Sequence, residues 1–190
     1  MSSLKTLEAR AFERDGFQVV RGLCPPELRE ALSSASRQHL NPLLGPVEYE
    51  ADLGYPGSPD SRKARGGDTP RRLLNACTRD EGFRNWSTGE LVGDRLRGLF
   101  ARNEPLLSQS HHNCVMTKHP GYSSATLWHQ DIRYWSFDRP ELISVWLALG
   151  AETAKNGALK VIPGTHQVDL DRGRFDKALF LRAELEENQA

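Results

Sequence analysis

The sequence predicts an α+β fold in which N-terminal helices cover an antiparallel β-sandwich or jelly roll. Apolar residues recur at helical spacing between residues 4 and 12, and Pro25 and Pro26 precede a second helical pattern. Farther along, residues 113–118, 142–149 and 158–162 have the composition of short strands. Asn156 and Gly157 lie between the last two and predict a tight antiparallel hairpin.

The remaining segments complete this outline. Residues 17–20 follow a glycine and predict a short strand, whereas residues 91–100 have the apolar spacing of another helix. The tail, residues 169–190, is charged and helix-like. We expect a single domain over residues 1–190, with its strand core at 113–166.

The composition is that of an ordinary globular protein. Lys plus Arg and Asp plus Glu number 25 each, so there is no global electrostatic reason to expect nucleic acid or an anionic membrane as partner. The chain has neither an N-terminal apolar core of the secretory kind nor a long apolar run. Three cysteines without metal-type spacing argue against a disulfide framework or a zinc site, and we expect a cytoplasmic location.

Residues 45–72 are predicted to form one long loop, because they contain five Gly and four Pro and almost no apolar period. Loops of this length inside a compact domain are usually functional or disordered. The loop is either a solvated, mobile basic segment or a lid that meets an anionic substrate or co-substrate. Its basic residues are Arg62, Lys63, Arg65, Arg71 and Arg72.

The motif that carries chemistry is Trp-His-Gln-Asp at residues 128–131. Side chains two residues apart on a strand point to the same face, so His129 and Asp131 can bind one metal ion from one side. They would supply two of the three ligands of a 2-His-1-carboxylate site, which leaves positions open for co-substrate and dioxygen. The alternative is a surface His–Asp pair joined by a hydrogen bond.

Several segments in this order resemble the phytanoyl-CoA dioxygenase family of iron(II)/2-oxoglutarate oxygenases. They are Asp-Gly-Phe within residues 12–22, the His-Gln-Asp motif, Val-Trp-Leu-Ala-Leu at 145–149, and Asn-Gly-Ala-Leu with Pro-Gly-Thr-His in 155–166. The resemblance runs in pieces from about residue 10 to about residue 167 and is densest between residues 118 and 166.

The resemblance implies a double-stranded β-helix, a cupin-like jelly roll with flanking N-terminal helices. It also implies a dioxygenase that hydroxylates a small organic substrate with O2 and converts 2-oxoglutarate to succinate and CO2. His129 and Asp131 would be the catalytic Fe(II) ligands. Asp131 favours hydroxylation, because halogenases of the family have a small residue in its place.

Four residues are candidates for contact with 2-oxoglutarate by the same resemblance. Gln130 falls at the edge of that site, and Trp146 matches a tryptophan that packs beside the co-substrate, although a plain core indole is an equal alternative. Cys114 takes a position where the family often has Met. Arg72 matches loosely a basic residue that touches 2-oxoglutarate, and its alternative is a solvated arginine.

The family's distal His and its carboxylate-binding Arg match nothing here, and 28 residues follow Ile162. We therefore expect the C-terminal half of the barrel to be absent. His166 is expected to have a structural role at a turn rather than to bind metal, and His111, His112 and His119 are expected at the surface or behind the ligands. The rival hypothesis is a truncated, catalytically incompetent oxygenase-fold fragment or binding module. Neither the substrate nor the oligomeric state follows from the sequence.

Overall fold

The structure is a computed structural model that describes residues 3–100, 104–110 and 112–185. Its helices are α1 (Ser3–Asp15), α2 (Pro26–Leu40), α3 (Ala76–Arg79), α4 (Glu81–Thr88) and α5 (Glu90–Leu99). Its strands are β1 (Val47–Tyr49), β2 (Pro70–Leu74) and β3 (Cys114–Met116). Four short 3-10 turns lie at Glu50–Asp52, Asp131–Tyr134, Thr165–Gln167 and Arg172–Arg174.

The three helices predicted from apolar spacing are confirmed as α1, α2 and α5. α1 ends where Gly16 takes a φ of 77° and its N–H donates to the Phe12 carbonyl at 2.7 Å. α2 has proline in its first turn and buries Leu32 and Ala35. The two short helices α3 and α4 were not predicted, and the Asp80 side chain caps α4 by accepting from the Gly82 N–H.

The strands form one antiparallel sheet in the order β1-β2-β3. Leu73 of β2 pairs with Val47 on one side and Val115 on the other. Leu73 and Val115 belong to the core, in which α2, α3 and α4 pack on this face of the sheet through Leu32, Ala35, Ala76 and Phe83. The neighbouring position, Arg72, pairs with Glu48 and Met116 and so lies on the opposite face.

Three predicted strands are wrong: residues 17–20, 142–149 and 158–162 have no strand pairing. The turn at Asn156 and Gly157 does form, with the Asn156 N–H donating to the Thr153 carbonyl at 3.1 Å, but no hairpin follows it. Leu147 and Leu149 still pack against the core. The described residues thus contain helices and a small antiparallel sheet, and not a full double-stranded β-helix.

The long-loop prediction for residues 45–72 is wrong at both ends, because β1 and β2 occupy them. Arg71 and Arg72 are not solvated loop residues but members of β2, with side chains 1% and 15% exposed. Between the strands the chain makes hydrogen-bonded turns, and Arg62 pairs with Asp52 at 2.6 Å. Residues 45–72 thus contain strand residues near both ends and a series of turns between them.

The C-terminal segment is a folded turn rather than a helix as far as it is described, and residues 186–190 lie outside that part. Phe175 and Leu181 form an isolated antiparallel bridge, and Phe175 and Phe180 are buried together with Leu170. The three cysteines are free thiols. No helix among the described residues is both long and apolar enough to cross a bilayer.

Candidate metal centre

His129 and Asp131 converge as predicted, although not on a strand. Residues 125–130 have no regular secondary structure, and the 3-10 turn Asp131–Tyr134 begins directly after them. The turn brings the Asp131 carboxylate back towards the imidazole, with His129 Nε2 3.1 Å from Asp131 Oδ1. Their side chains are 27% and 37% exposed, so the pair is open to a small ligand.

The His129 ring lies between two acceptors. Its Nδ1 is 2.8 Å from the Leu127 carbonyl, which can only accept, so Nδ1 carries a proton. Its Nε2 faces the Asp131 carboxylate, which also accepts. The ring satisfies both partners only if Nε2 is protonated or holds a cation. The hydrogen bond to Asp131 accordingly raises the pKa of His129, against burial, which lowers it.

Asp131 is held as a carboxylate. Burial alone would raise its pKa, but the hydrogen bond with His129 and the charges of His112 and Arg72 lower it below the ordinary value. His112 Nδ1 is 3.9 Å from Asp131 Oδ2, so the two carboxylate oxygens face two different imidazoles. This proximity of His112 was not predicted, and His111 lies outside the described residues.

Arg72 is not a solvated arginine, since its side chain is 15% exposed; its contact with a co-substrate stays a prediction. Arg72 lies close enough to act electrostatically on both His129 and Asp131. Its Nη1 donates to Glu48 at 3.0 Å, while its Nε is buried and has no hydrogen-bond partner among the described residues. A buried N–H without an acceptor is costly, and an incoming carboxylate would satisfy it.

Cys114 lies on the same sheet face as Arg72, because Met116 pairs with Arg72 and Cys114 is two residues before it. Burial raises the pKa of the Cys114 thiol. Gln130 points elsewhere: its amide donates to the Thr165 carbonyl at 3.2 Å and its oxygen accepts from Arg133. Trp146 is 52% exposed and its indole N–H donates to Glu152 at 2.8 Å, so it is not a core indole.

An aromatic wall that was not predicted stands behind His129. The rings of Tyr134 and Phe180 lie 5.7 and 6.0 Å from the imidazole, both edge-on, and Phe180 is 2% exposed. Burial raises the pKa of Tyr134 to about 12, and its hydroxyl donates to the Ala178 carbonyl at 2.7 Å. Phe180 was visible in the sequence only as an apolar residue of a presumed helix.

A buried ionic network that was also missed supports the segment leading to the motif. Arg71 pairs with Glu50 at 3.1 Å and donates to Ser124 and Thr126 at 2.5 and 2.8 Å. Ser124 in turn donates its hydroxyl and its N–H to Glu50. Because Ser124 and Thr126 precede His129 by only a few residues, the network fixes the start of the metal motif to the sheet. The available sequence signal was the presence of two glutamates, Glu48 and Glu50, in the same segment as Arg71 and Arg72.

The donor set fits Fe(II) in part. Two ligand atoms at right angles, each about 2.1 Å from a metal, lie about 3 Å apart, which is close to the separation of His129 Nε2 and Asp131 Oδ1. The Leu127 carbonyl holds the ring in the tautomer that metal-binding histidines need. Within residues 3–100, 104–110 and 112–185, however, there is no group of three or more His, Cys, Asp or Glu side chains that could hold a metal ion.

Comparison with known proteins identifies the family. The model of the phytanoyl-CoA dioxygenase (PhyH) family matches residues 12–189, and the chain belongs to that family. It is 24% identical over 189 residues to "Phytanoyl-CoA dioxygenase, peroxisomal" of Homo sapiens, covering 93% of this chain and 52% of the human protein. It is 33% identical over 93 residues to "Phytanoyl-CoA dioxygenase 1" of Oryza sativa subsp. japonica, covering 49% of this chain and 32% of the rice protein.

The chain therefore spans about half the length or less of these curated relatives. No solved structure matches it significantly. The family as a whole is of the cupin-like jelly-roll type and suggests a dioxygenase that depends on Fe(II) and 2-oxoglutarate and acts with O2 on a small molecule.

Proposed function

We propose that this protein is an Fe(II)/2-oxoglutarate-dependent dioxygenase that hydroxylates a small organic substrate. The observation that carries the proposal is the His129 ring, whose Nδ1 is fixed by the Leu127 carbonyl while Nε2 faces the Asp131 carboxylate. When Nε2 is unprotonated, its lone pair faces the Asp131 carboxylate and the two repel each other. A divalent cation bound between them removes this repulsion. Family membership supports the identity of the metal and the co-substrate.

When bound, Fe(II) supplies the redox chemistry in which O2 and 2-oxoglutarate give succinate and CO2 and one oxygen atom enters a substrate C–H bond. The residues of this chain would position the metal and 2-oxoglutarate and would keep water away from them. His129 and Asp131 would hold the metal, and the carboxylate would offset part of its charge. Arg72 would offer its unpartnered Nε–H to a carboxylate of 2-oxoglutarate. Tyr134 and Phe180 would keep water from the side of the imidazole they cover.

The remaining co-substrate candidates are Cys114, Gln130 and Trp146. Cys114 shares the sheet face of Arg72 and would contribute a soft, uncharged surface beside the co-substrate. The contacts of Gln130 and Trp146 favour roles elsewhere. We further propose a single domain over residues 1–190 that acts in the cytoplasm on a small molecule, with neither nucleic acid nor membrane as partner; balanced charge and free thiols support this.

The rival proposal is a catalytically incompetent oxygenase-fold module. One observation favours it: the described part of the chain has no group of three or more His, Cys, Asp or Glu that could hold a metal ion. The two proposals differ in turnover, because a module that only binds would give no succinate.

Anaerobic titration with Fe(II) and then 2-oxoglutarate, followed by exposure to O2 and measurement of succinate, tests the proposal. We expect the wild type to bind one Fe(II) and to form succinate, and His129→Ala and Asp131→Ala to lose both. Asp138→Ala is the control, because Asp138 is exposed and outside the pair. Equal Fe(II) affinity in all four proteins would contradict the metal assignment, and Fe(II) binding without succinate would favour the rival.

A further inference from the structure

Arg133 lies in the 3-10 turn that follows His129, and its side chain joins that turn to its neighbours. Its Nε–H donates to Gln130 Oε1 at 2.8 Å, and its Nη2 donates to the Leu170 carbonyl at 2.5 Å. We propose that Arg133 is a positioning residue, which fixes the turn in the shape that holds the Asp131 carboxylate against the His129 imidazole. This inference rests on the proposed metal-dependent function and adds to it a residue that acts through the two candidate ligands.

The turn Asp131–Tyr134 is weak by itself. Its backbone hydrogen bonds run from Arg133 N–H to the Gln130 carbonyl at 3.0 Å and from Trp135 N–H to the Ile132 carbonyl at 3.3 Å. A 3-10 turn of this length has poor hydrogen-bond geometry and is marginal without support from other segments. Its shape, and with it the distance between the two candidate ligands, therefore depends on contacts outside the turn.

The guanidinium group of Arg133 supplies such contacts in three directions. Besides its two hydrogen bonds, it lies over the Phe175 ring, with Cζ 4.1 Å from the ring centroid. Phe175 and Leu170 are 3% and 7% exposed, so both are fixed parts of the C-terminal segment. A planar guanidinium can stack by its face while its edge donates to two acceptors, and a lysine ammonium cannot do both. The position therefore requires arginine rather than any cation.

Gln130 extends the restraint to the backbone between the two candidate ligands. Its side-chain oxygen accepts from Arg133, and its amide donates to the Thr165 carbonyl at 3.2 Å. Because both ends of this side chain are engaged, the main chain from His129 to Asp131 has little freedom to rotate. Arg133 thus acts on Asp131 through the turn and on His129 through Gln130, which is how supporting residues fix the geometry of a metal site.

The charge of Arg133 allows positioning to be distinguished from a direct electrostatic effect. Arg133 is two residues from Asp131, and a positive charge near the site repels a metal ion. If only this charge acted, removing it would raise metal affinity. Positioning predicts the opposite sign, because the carboxylate and the imidazole lose their alignment. The direction of the change in affinity therefore decides between the two.

Anaerobic Co(II) titration of the full chain tests the proposal, because Co(II) substitutes for Fe(II) without oxidising and its visible absorption reports the ligand geometry. Arg133→Lys keeps the charge without the planar group, and Arg133→Ala removes both. Arg139→Ala is the matched control, because that side chain is 72% exposed and pairs with Glu141 at 3.6 Å. His129→Ala tests the proposed function. Without metal, hydrogen exchange of the Trp135 amide reports the turn, and thermal melting reports the whole fold.

We expect Arg133→Lys and Arg133→Ala to lower Co(II) affinity by roughly tenfold or more and to alter the absorption bands. The Trp135 amide should exchange faster in both variants. Guanidinium added well below denaturing concentrations should restore the affinity of Arg133→Ala, whereas methylammonium should not. Arg139→Ala should bind Co(II) at least as tightly as the wild type.

Two results would overturn the inference and leave the metal function standing. The first is wild-type affinity and bands in both Arg133 variants while His129→Ala loses them. The second is a loss of affinity that follows a fall in metal-free melting temperature and that guanidinium does not restore, because it indicates general destabilisation. If the wild type binds no Co(II), or His129→Ala binds it equally well, the proposed function fails and this inference fails with it.

Discussion

The main-chain N–H of Leu181 donates to the carbonyl of Trp128 at 2.8 Å, which joins the C-terminal segment to the residue directly before His129. The neighbouring Phe180 packs its ring edge-on to the His129 imidazole. The C-terminal segment is thus part of the candidate metal centre. We expect substitutions in this segment to change the metal affinity of that centre.

Phe180→Ala should destabilise the protein by about 3 kcal/mol or more, because it empties a site that is 2% exposed. It should also lower metal affinity, since the imidazole loses the ring that limits its movement. Urea unfolding and Co(II) titration measure the two effects. Leu106→Ala is the control, because Leu106 is 94% exposed and should change stability by less than about 0.5 kcal/mol. Equal stability of the two variants would contradict the packing role of Phe180.

Glu50→Gln should destabilise the protein by about 3 kcal/mol at neutral pH, because it removes the nearer and fully buried carboxylate partner of Arg71 and leaves only Glu48, 3.6 Å away. Burial alone would raise the pKa of Glu50, but hydrogen bonds from Ser124 and the charge of Arg71 lower it below the ordinary value. A lowered pKa stabilises the fold above the unfolded-state pKa, and that contribution is lost as the pH falls through the folded-state pKa. The difference between wild type and variant should therefore shrink below about pH 4.

Thermal melting from pH 7 down to pH 3 measures this difference. Glu81→Gln is the matched control, because the Glu81 side chain is 75% exposed and its partner Arg84 is 3.8 Å away. A constant gap between wild type and Glu50→Gln over the whole range would show that the Glu50 charge contributes nothing to the acid response.

Arg72→Gln should weaken 2-oxoglutarate binding by roughly tenfold or more, since a hydrogen bond to a charged group is worth about 1.5–3 kcal/mol. Metal affinity should not fall, because the substitution removes a positive charge that acts on His129 and Asp131. Calorimetric titration of each ligand separates the two effects. Arg62→Gln is the control, as its side chain is 50% exposed and pairs with Asp52. Unchanged 2-oxoglutarate affinity in Arg72→Gln would remove Arg72 from the site.

Gly66→Ala should cost more stability than Gly22→Ala. Both glycines have a positive φ, 76° and 71°, so both substitutions carry the backbone strain of roughly 1 kcal/mol. A Cβ at Gly66 would also meet the Tyr122 ring, whereas a Cβ at Gly22 has open space around it. The difference in urea unfolding free energy isolates that close contact. Equal costs would show that the turn-rich middle between β1 and β2 is free to move away from Tyr122.

Features set by local spacing could be predicted from the sequence. The apolar period of α1 and the proline start of α2 are properties of a few consecutive residues, and so is the convergence of His129 and Asp131. Residues 142–149 and 158–162 have strand composition, but a strand exists only where another strand supplies hydrogen bonds, and no other described segment pairs with them.

Contacts between distant residues could not be predicted. The sequence predicts Arg71 in a long loop, either solvated or a lid, yet its partner Glu50 and the hydroxyl of Ser124 lie 21 and 53 residues away in the chain. The approach of His112 to Asp131 depends equally on how β3 docks against β2 and α3. A periodic pattern of residues in one sequence does not indicate such docking, because docking arises from the packing of whole helices and strands.

The bond between Leu181 and Trp128 also has a consequence for the order of assembly during synthesis. A ribosome releases the chain from its N-terminus, so His129 and Asp131 emerge well before Phe180 and Leu181 can pack beside them. The intervening loop of roughly fifty residues must close before the imidazole acquires its aromatic wall. The nascent protein would thus expose an unfinished candidate site for several seconds, and under the proposed function iron delivered after release would meet a better-ordered His129 and Asp131 than iron delivered during translation.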